Sequence, residues 1–211
     1  VVRLVGSEMC IRDRDTLDYK EKDWPEIEKA HAAKITLLDK QIGRLINKLK
    51  EIDELDNTLI LFTSDNGPHF ADGGHELEFF NSNGKLRGGK RDLYEGGVRV
   101  PLIAYWRNKI RPKGKSYHIS GFQDIMATFA EIIEYKVGEN IDGISFLPTL
   151  LNKDQQKHEY LNWEYQLSGW FQNLPNGGFR QSVRMGDWKA FRYDLESNAV
   201  SYTHLRAHET D

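Results

Sequence analysis

The chain has 211 residues, of which 39% are hydrophobic, 29% charged and 11% aromatic, a composition able to bury a core. Its 29 basic and 32 acidic side chains are scattered along the chain and leave a formal net charge of −3, so there is no electrostatic footprint for nucleic acid. No apolar run approaches the roughly 18–20 residues that span a bilayer. The longest, residues 58–62, has the length of a buried strand, and no membrane partner is expected.

The two ends differ in texture from the rest. VRLVGSEMCIRDR at the start and SYTHLRAHET near the finish resemble conceptual translations of sequencing-adapter DNA, so residues 1–14 and 200–211 are expected to lie outside the fold. That reading removes a decoy, because His204 and His208 stand four apart and could share one helical face as a metal pair. Cys10 is the only cysteine, which excludes an internal disulfide and a cysteine-based zinc cage but leaves the compartment open. The N-terminal stretch has no apolar core of a secretion signal.

Between the ends, Asp23 as N-cap, Pro25 in the first turn and Glu26 in capping-box position predict a helix start. Ile35, Leu38, Ile42, Leu45, Leu49 and Ile52 then recur at three-four spacing, which predicts one amphipathic helix over 24–53 packed on a sheet. Residues 58–63, TLILFT, read as a central parallel strand covered on both faces. A second apolar run at 98–106 carries Pro101, so it should lie at a sheet edge or join the sheet after the proline. Residues 122–134 read as a helix with Phe122, Ile125, Met126, Phe129 and Ile133 on one face. From about residue 155 the texture turns to short aromatic-rich runs, and Met185-Gly186 between two of them predicts a hairpin.

The chemistry concentrates in the long connection between residues 64 and 101, far longer than ordinary strand connections. It opens with Ser-Asp-Asn-Gly-Pro-His at 64–69, at the carboxyl end of the predicted strand, where open α/β sheets place ligands. Asp65 and Asn66 offer hard oxygen donors suited to Ca²⁺ or Mg²⁺, although the same residues also make an ordinary turn. Further on, Gly88 and Gly89 precede Lys90, whose ammonium is a compact point charge for a tetrahedral oxyanion. Lys85, Arg87 and Arg91 read as a solvated loop face. His69 and His75 flank this stretch and could touch a substrate or assist proton transfer, or be ordinary loop histidines. His75-Glu76 does not begin a zinc-protease motif, because Phe79 stands where the second histidine belongs. Glu95 and Arg99 are expected to brace the loop, and Trp163, Glu164 and Trp188 to form the core and rim of the small C-terminal unit.

Thr63-Ser-Asp-Asn-Gly67, Leu86-Arg-Gly-Gly-Lys90 and Tyr94-Glu-Gly-Gly-Val-Arg-Val-Pro101 together resemble the type I sulfatases of the alkaline-phosphatase superfamily. The likeness runs over about residues 15–199, through Asp142-Gly-Ile-Ser-Phe-Leu-Pro-Thr149 to Val183-Arg-Met-Gly-Asp-Trp-Lys189. It implies an α/β fold: the C-terminal part of an alkaline-phosphatase-like α/β sandwich at 15–153, followed by a small antiparallel β subdomain at 154–199. It also implies that Asp65 and Asn66 are ligands of one Ca²⁺, with Mg²⁺ second, and that Lys90 contacts the sulfate, with His69 as a further substrate contact.

The implied activity is hydrolysis of a sulfate ester on a carbohydrate or aryl alcohol, with a sulfated small molecule or glycan as partner and a periplasmic or extracellular setting. The family's nucleophile is a formylglycine made from Cys or Ser in a Cys/Ser-x-Pro-x-Arg motif. The residues two before the six prolines are Asp23, Asn66, Arg99, Ile110, Phe146 and Asn173, so that motif is absent, and Cys10 has Arg12 where the proline belongs. The chain therefore reads as an inactive fragment of a sulfatase. Two alternatives stay open: a phosphate or phosphonate ester hydrolase of the same superfamily, and a non-catalytic protein that binds sulfated glycans.

Overall fold

The computed structural model describes residues 17–69, 75–112, 114–138, 140–166, 178–193 and 200–204. After a short 3-10 turn at Leu17–Tyr19, helix α1 spans Glu26–Glu51. The helix begins without the expected side-chain cap: Pro25, extended at ψ 143°, is the N-cap, which leaves Asp23 two residues too early to act. Trp24 instead packs edge-on against Phe79 and Phe80, at 5.8 and 5.3 Å between ring centroids.

Strand β1, Ile60–Thr63, pairs with β2, Leu102–Tyr105, in antiparallel register from Ile60 opposite Tyr105 to Thr63 opposite Leu102. The expected central parallel strand is thereby corrected. The long connection returns the chain beside β1 in the opposite direction, and among the described residues these two strands form a sheet of their own, with Phe62 exposed. Strand β2 starts at the residue after Pro101, as the missing N–H of proline requires. Between the two strands lies the four-residue helix α2, Glu95–Val98.

Helix α3, Gln123–Ile132, is followed by the one-turn helix α4, Leu147–Leu150. The apolar face of α3 is left uncovered among the described residues. Asp124, Ala127, Thr128 and Ala130 are buried, while Phe122, Met126, Phe129 and Ile133 are exposed. The opposite, buried face holds a polar anchor: the Asp124 carboxylate accepts the N–H groups of Gly121 and Ile144, each at 2.8 Å, and sits 2.8 Å from Nε2 of His158. Thr128 extends it by donating to the Asp124 carbonyl and accepting the Phe146 N–H. The stripe of α1 is likewise helical as its spacing predicts, yet Ile35, Leu38, Leu45 and Ile52 face no covering surface among the described residues.

The C-terminal unit is an antiparallel sheet ordered β3 (Leu161–Gln166), β4 (Phe179–Met185), β5 (Trp188–Arg192) and β6 (Ser201–His204). The β4–β5 hairpin turns at Gly186, whose φ of 56° is a conformation that glycine adopts without strain. β6 lies in the segment that resembles adapter sequence and pairs with β5 from Trp188 opposite His204 to Phe191 opposite Ser201. Register and pleat put Leu161, Trp163, Arg180, Ser182, Arg184, Lys189 and Phe191 on one face. That face covers the 86–98 segment.

Candidate functional site: two turns joined through their backbones

The turn after β1 and the glycine-rich segment before β2 are held together by main-chain bonds. Gly67 N–H donates to the Gly97 carbonyl at 2.8 Å, and Lys90 N–H donates to the Pro68 carbonyl at 2.7 Å. The approach is so close that a Cβ on Gly67 would run into the carbonyl of Gly96, one on Gly96 into those of Gly88 and Arg87, and one on Gly97 into those of Asp92 and Gly89. These glycines are needed because backbone packs on backbone. Gly88, at φ 81°, makes the turn, and the Gly89 N–H is taken by Asp92 Oδ2 at 3.2 Å.

The turn that carries Asp65 and Asn66 and the segment that carries Lys90 thereby lie side by side: Asp65 is exposed, and Asn66 and Lys90 are half-buried. The Ser64 hydroxyl donates to the Asn66 carbonyl at 2.8 Å and tightens the turn. Among the described residues, the side chains of Asp65, Asn66 and Lys90 have no hydrogen-bond or ion-pair partner. Their neighbours do. Arg87 lies over the Tyr94 ring at 4.0 Å, and Asp92 takes Arg180 at 3.1 Å. His69 is half-buried, directly after the Pro68 that binds Lys90. Pro68, Asn83, Leu86, Gly96 and Arg99 line part of a cavity of about 300 Å³ beside this junction.

Glu95 braces the segment, as expected, and does so through the C-terminal sheet. Its carboxylate accepts from Arg184 and from Lys189, each at 2.9 Å, so the clamp reaches across to the C-terminal sheet. Lys189 is fully buried, with Nζ 4.5 Å from the Trp163 ring, and burial pulls its ammonium below the ordinary 10.5 while Glu95 opposes the shift. The signal existed in the sequence: alternate positions 180 and 184 on β4 and position 189 on β5 put three cations on one face of a hairpin.

His75 does not line this junction as an open loop residue. It is buried, with Nδ1 donating to Glu28 Oε2 at 2.6 Å, and it stacks on His31 at 3.9 Å between ring centroids. The other Glu28 oxygen accepts the Glu76 N–H at 2.9 Å. Burial pushes Glu28 upward, but this N–H and His75 outweigh it and hold the carboxyl below its ordinary 4.5. Asp72, Gly73 and Gly74, Cys10 and His208 lie outside the described residues, and no group of three or more His, Cys, Asp or Glu among the described residues could hold a metal ion.

The sulfatase family model matches residues 12–135, more than half of the chain. An N-acetylgalactosamine-6-O-sulfatase of Bacteroides thetaiotaomicron is 37% identical over 74% of this chain and 29% of its own length. Ps i-CgsB, solved in complex with k-i-k-neocarrahexaose, superposes with a TM-score of 0.74 at 25% identity over 95% of this chain and 41% of that one. A structure in complex with its substrate D-glucosamine-2-N,6-O-disulfate superposes with a TM-score of 0.70 at 25% identity over 87% of this chain and 35% of the other. The fold is thus that of the alkaline-phosphatase-like α/β proteins, in its C-terminal part. The chain belongs to the sulfatase family, the type I sulfatases. It spans less than half the length of each of these relatives.

Proposed function

We propose that the full-length protein hydrolyses a sulfate ester borne on a carbohydrate or aryl alcohol, and that this chain supplies one wall of its site. The observation that supports the reading most directly is the junction itself: a carboxylate, an amide and an ammonium are carried on two mutually bonded turns, and their side chains have no hydrogen-bond or ion-pair partner among the described residues. Asp65 is exposed and Asn66 and Lys90 are half-buried, so all three side chains can be reached by a ligand.

Asp65 and Asn66 present hard oxygens of the kind Ca²⁺ takes, and Mg²⁺ second; Ca²⁺ needs about six to eight, so other ligands lie beyond the described residues. A bound Ca²⁺ polarises a sulfuryl oxygen. Lys90 brings its ammonium to the same wall as a point charge for the sulfuryl oxygens, and His69 stands at the edge as a substrate contact. Because the frame is fixed before substrate arrives, these charges require no reorganisation during reaction, which is how such electrostatic stabilisation acts. The nucleophile, a formylglycine, is supplied by upstream sequence, so these 211 residues alone are inert.

The relatives' names, an N-acetylgalactosamine-6-O-sulfatase and a structure holding a disulfated glucosamine, favour a sulfated glycan as substrate class. A glycan substrate in turn favours a periplasmic or extracellular setting; no helix among the described residues is long and apolar enough to cross a membrane.

The test is hydrolysis of matched sulfate and phosphate monoesters by the full-length protein. Faster turnover of the sulfate is expected. Faster turnover of the phosphate would move the protein to the phosphoryl branch of the superfamily. An upstream reading frame lacking Cys/Ser-x-Pro-x-Arg, together with retained glycan binding, would make it a non-catalytic binder.

A further inference from the structure

Lys189 is an expensive residue where it stands. Its ammonium is withdrawn fully from water, enclosed by Trp163 and Phe191, and given a single carboxylate partner. A buried ion pair recovers its desolvation cost poorly, and an apolar side chain of the same length would serve packing at least as well. A charge at this place therefore calls for a reason other than stability, and its partner supplies one.

Glu95 is the first residue of α2, and its carboxylate is held from both oxygens by residues of the C-terminal sheet, Lys189 on Oε1 and Arg184 on Oε2. Two residues later, the Gly97 carbonyl accepts the Gly67 N–H, directly after Asp65 and Asn66. A second arm has the same form: Arg180 Nη1 binds Asp92 Oδ1 at 3.1 Å and the Arg91 carbonyl at 3.2 Å, and Asp92 Oδ2 accepts the N–H of Gly89, the residue before Lys90. Each arm thus runs from a cation of the sheet, through a carboxylate of the loop, to a main-chain bond beside the wall. Tyr94, between the two carboxylates, seats its ring on Phe191 at 4.6 Å and completes the contact.

We infer that Lys189 is a positioning residue for the site: through Glu95 it fixes the Gly96–Gly97 backbone against Gly67 and so sets the placement of Asp65 and Asn66. The inference rests on the reading that this pair binds Ca²⁺ for sulfate-ester hydrolysis. It adds that the small sheet, which contributes none of the wall's side chains, determines the wall's geometry. Removal of such an outer support typically costs about 10- to 100-fold in metal affinity or activity.

The test uses the full-length protein and Lys189→Met, which keeps length and removes charge. Ca²⁺ affinity by calorimetry and kcat on an aryl sulfate are each expected to fall about tenfold or more, with KM moving about threefold or less. A folded Lys189→Met protein with Ca²⁺ affinity and kcat within about twofold of wild type overturns the inference and leaves Lys189 as packing. If that variant does not fold, Arg184→Met decides, since its guanidinium is nearer solvent and leaves the Lys189–Glu95 bond in place: a fall of about threefold or more in Ca²⁺ affinity supports positioning, and an unchanged affinity overturns it. A wild-type protein that neither binds Ca²⁺ nor cleaves the sulfate refutes the functional reading itself, and this inference with it.

Discussion

The backbone N–H of Lys90 donates to the carbonyl of Pro68 at 2.7 Å, joining two sequence motifs that lie more than twenty residues apart. The bond places a cation beside the Asp65-Asn66 turn without using any side chain, so the ammonium remains available. Replacing Lys90 by Ala removes the charge and keeps this bond. In the full-length enzyme we expect kcat on an aryl sulfate to fall about 10²–10³-fold, the range for losing one preorganised donor, with stability unchanged. Wild-type turnover by Lys90→Ala would remove it from the site.

Asp65→Asn keeps the shape of the turn and deletes one negative oxygen from the cation ligands. Calorimetric titration of the full-length protein should show Ca²⁺ binding weakened about tenfold or more, and chelation of Ca²⁺ should abolish activity in the wild type. Equal affinity in the two proteins would place the metal elsewhere.

Gly67→Ala tests the backbone contact. Its Cβ would collide with the main-chain carbonyl of Gly96, which no rotamer change relieves. A loss of about 3 kcal/mol in urea unfolding is expected, at the upper end for overpacking. A loss below about 0.5 kcal/mol would show that the two turns separate easily.

Asp124→Asn strikes the polar anchor of α3. The amide cannot accept from both Gly121 and Ile144 while facing His158, so donors are left unsatisfied in a fully buried place. A destabilisation of about 3 kcal/mol is expected, read as a lower urea midpoint at unchanged slope.

Acid should unfold the protein in two stages. His31 and His118 both sit below their ordinary 6.5, burial being the main cause in each, aided at His31 by His75 and opposed at His118 by Asp124. A depressed value means that the unfolded chain takes up the proton first, so their contribution is present above pH 6.5 and is lost as pH falls through the lower folded value. Glu28, also depressed, adds a second decline below its ordinary 4.5. Urea midpoints across pH 8 to 4 measure this, and His31→Phe, which keeps a ring on His75, should flatten the first stage. A wild-type midpoint that stays level between pH 7 and 5 would count against it.

What could be read from the sequence followed local physics. The helix over 26–51, the strand that starts after Pro101 and the hairpin at Gly186 each rest on periodicity, proline chemistry or spacing. What could not be read depends on partners distant in the chain. The buried polar anchor of α3 was not legible because hydrophobicity cannot reveal that Asp124 has two N–H groups and His158 waiting for it. His75 looked like a loop histidine because Glu28, its partner, lies 47 residues earlier. The antiparallel direction of β1 and β2 is set by the path of the long connection, which leaves no periodic trace.

The interlock of Gly67, Gly96 and Gly97 also bears on how this scaffold can be altered. Its shape is specified by main chain against main chain, with Glu95 and Asp92 tying it to the sheet, so a side chain that makes none of these contacts can vary. Diversity at the exposed Lys85 can therefore search for new ligand preferences on an unchanged chassis, whereas diversity spent on the three glycines yields only proteins in which that chassis has been lost.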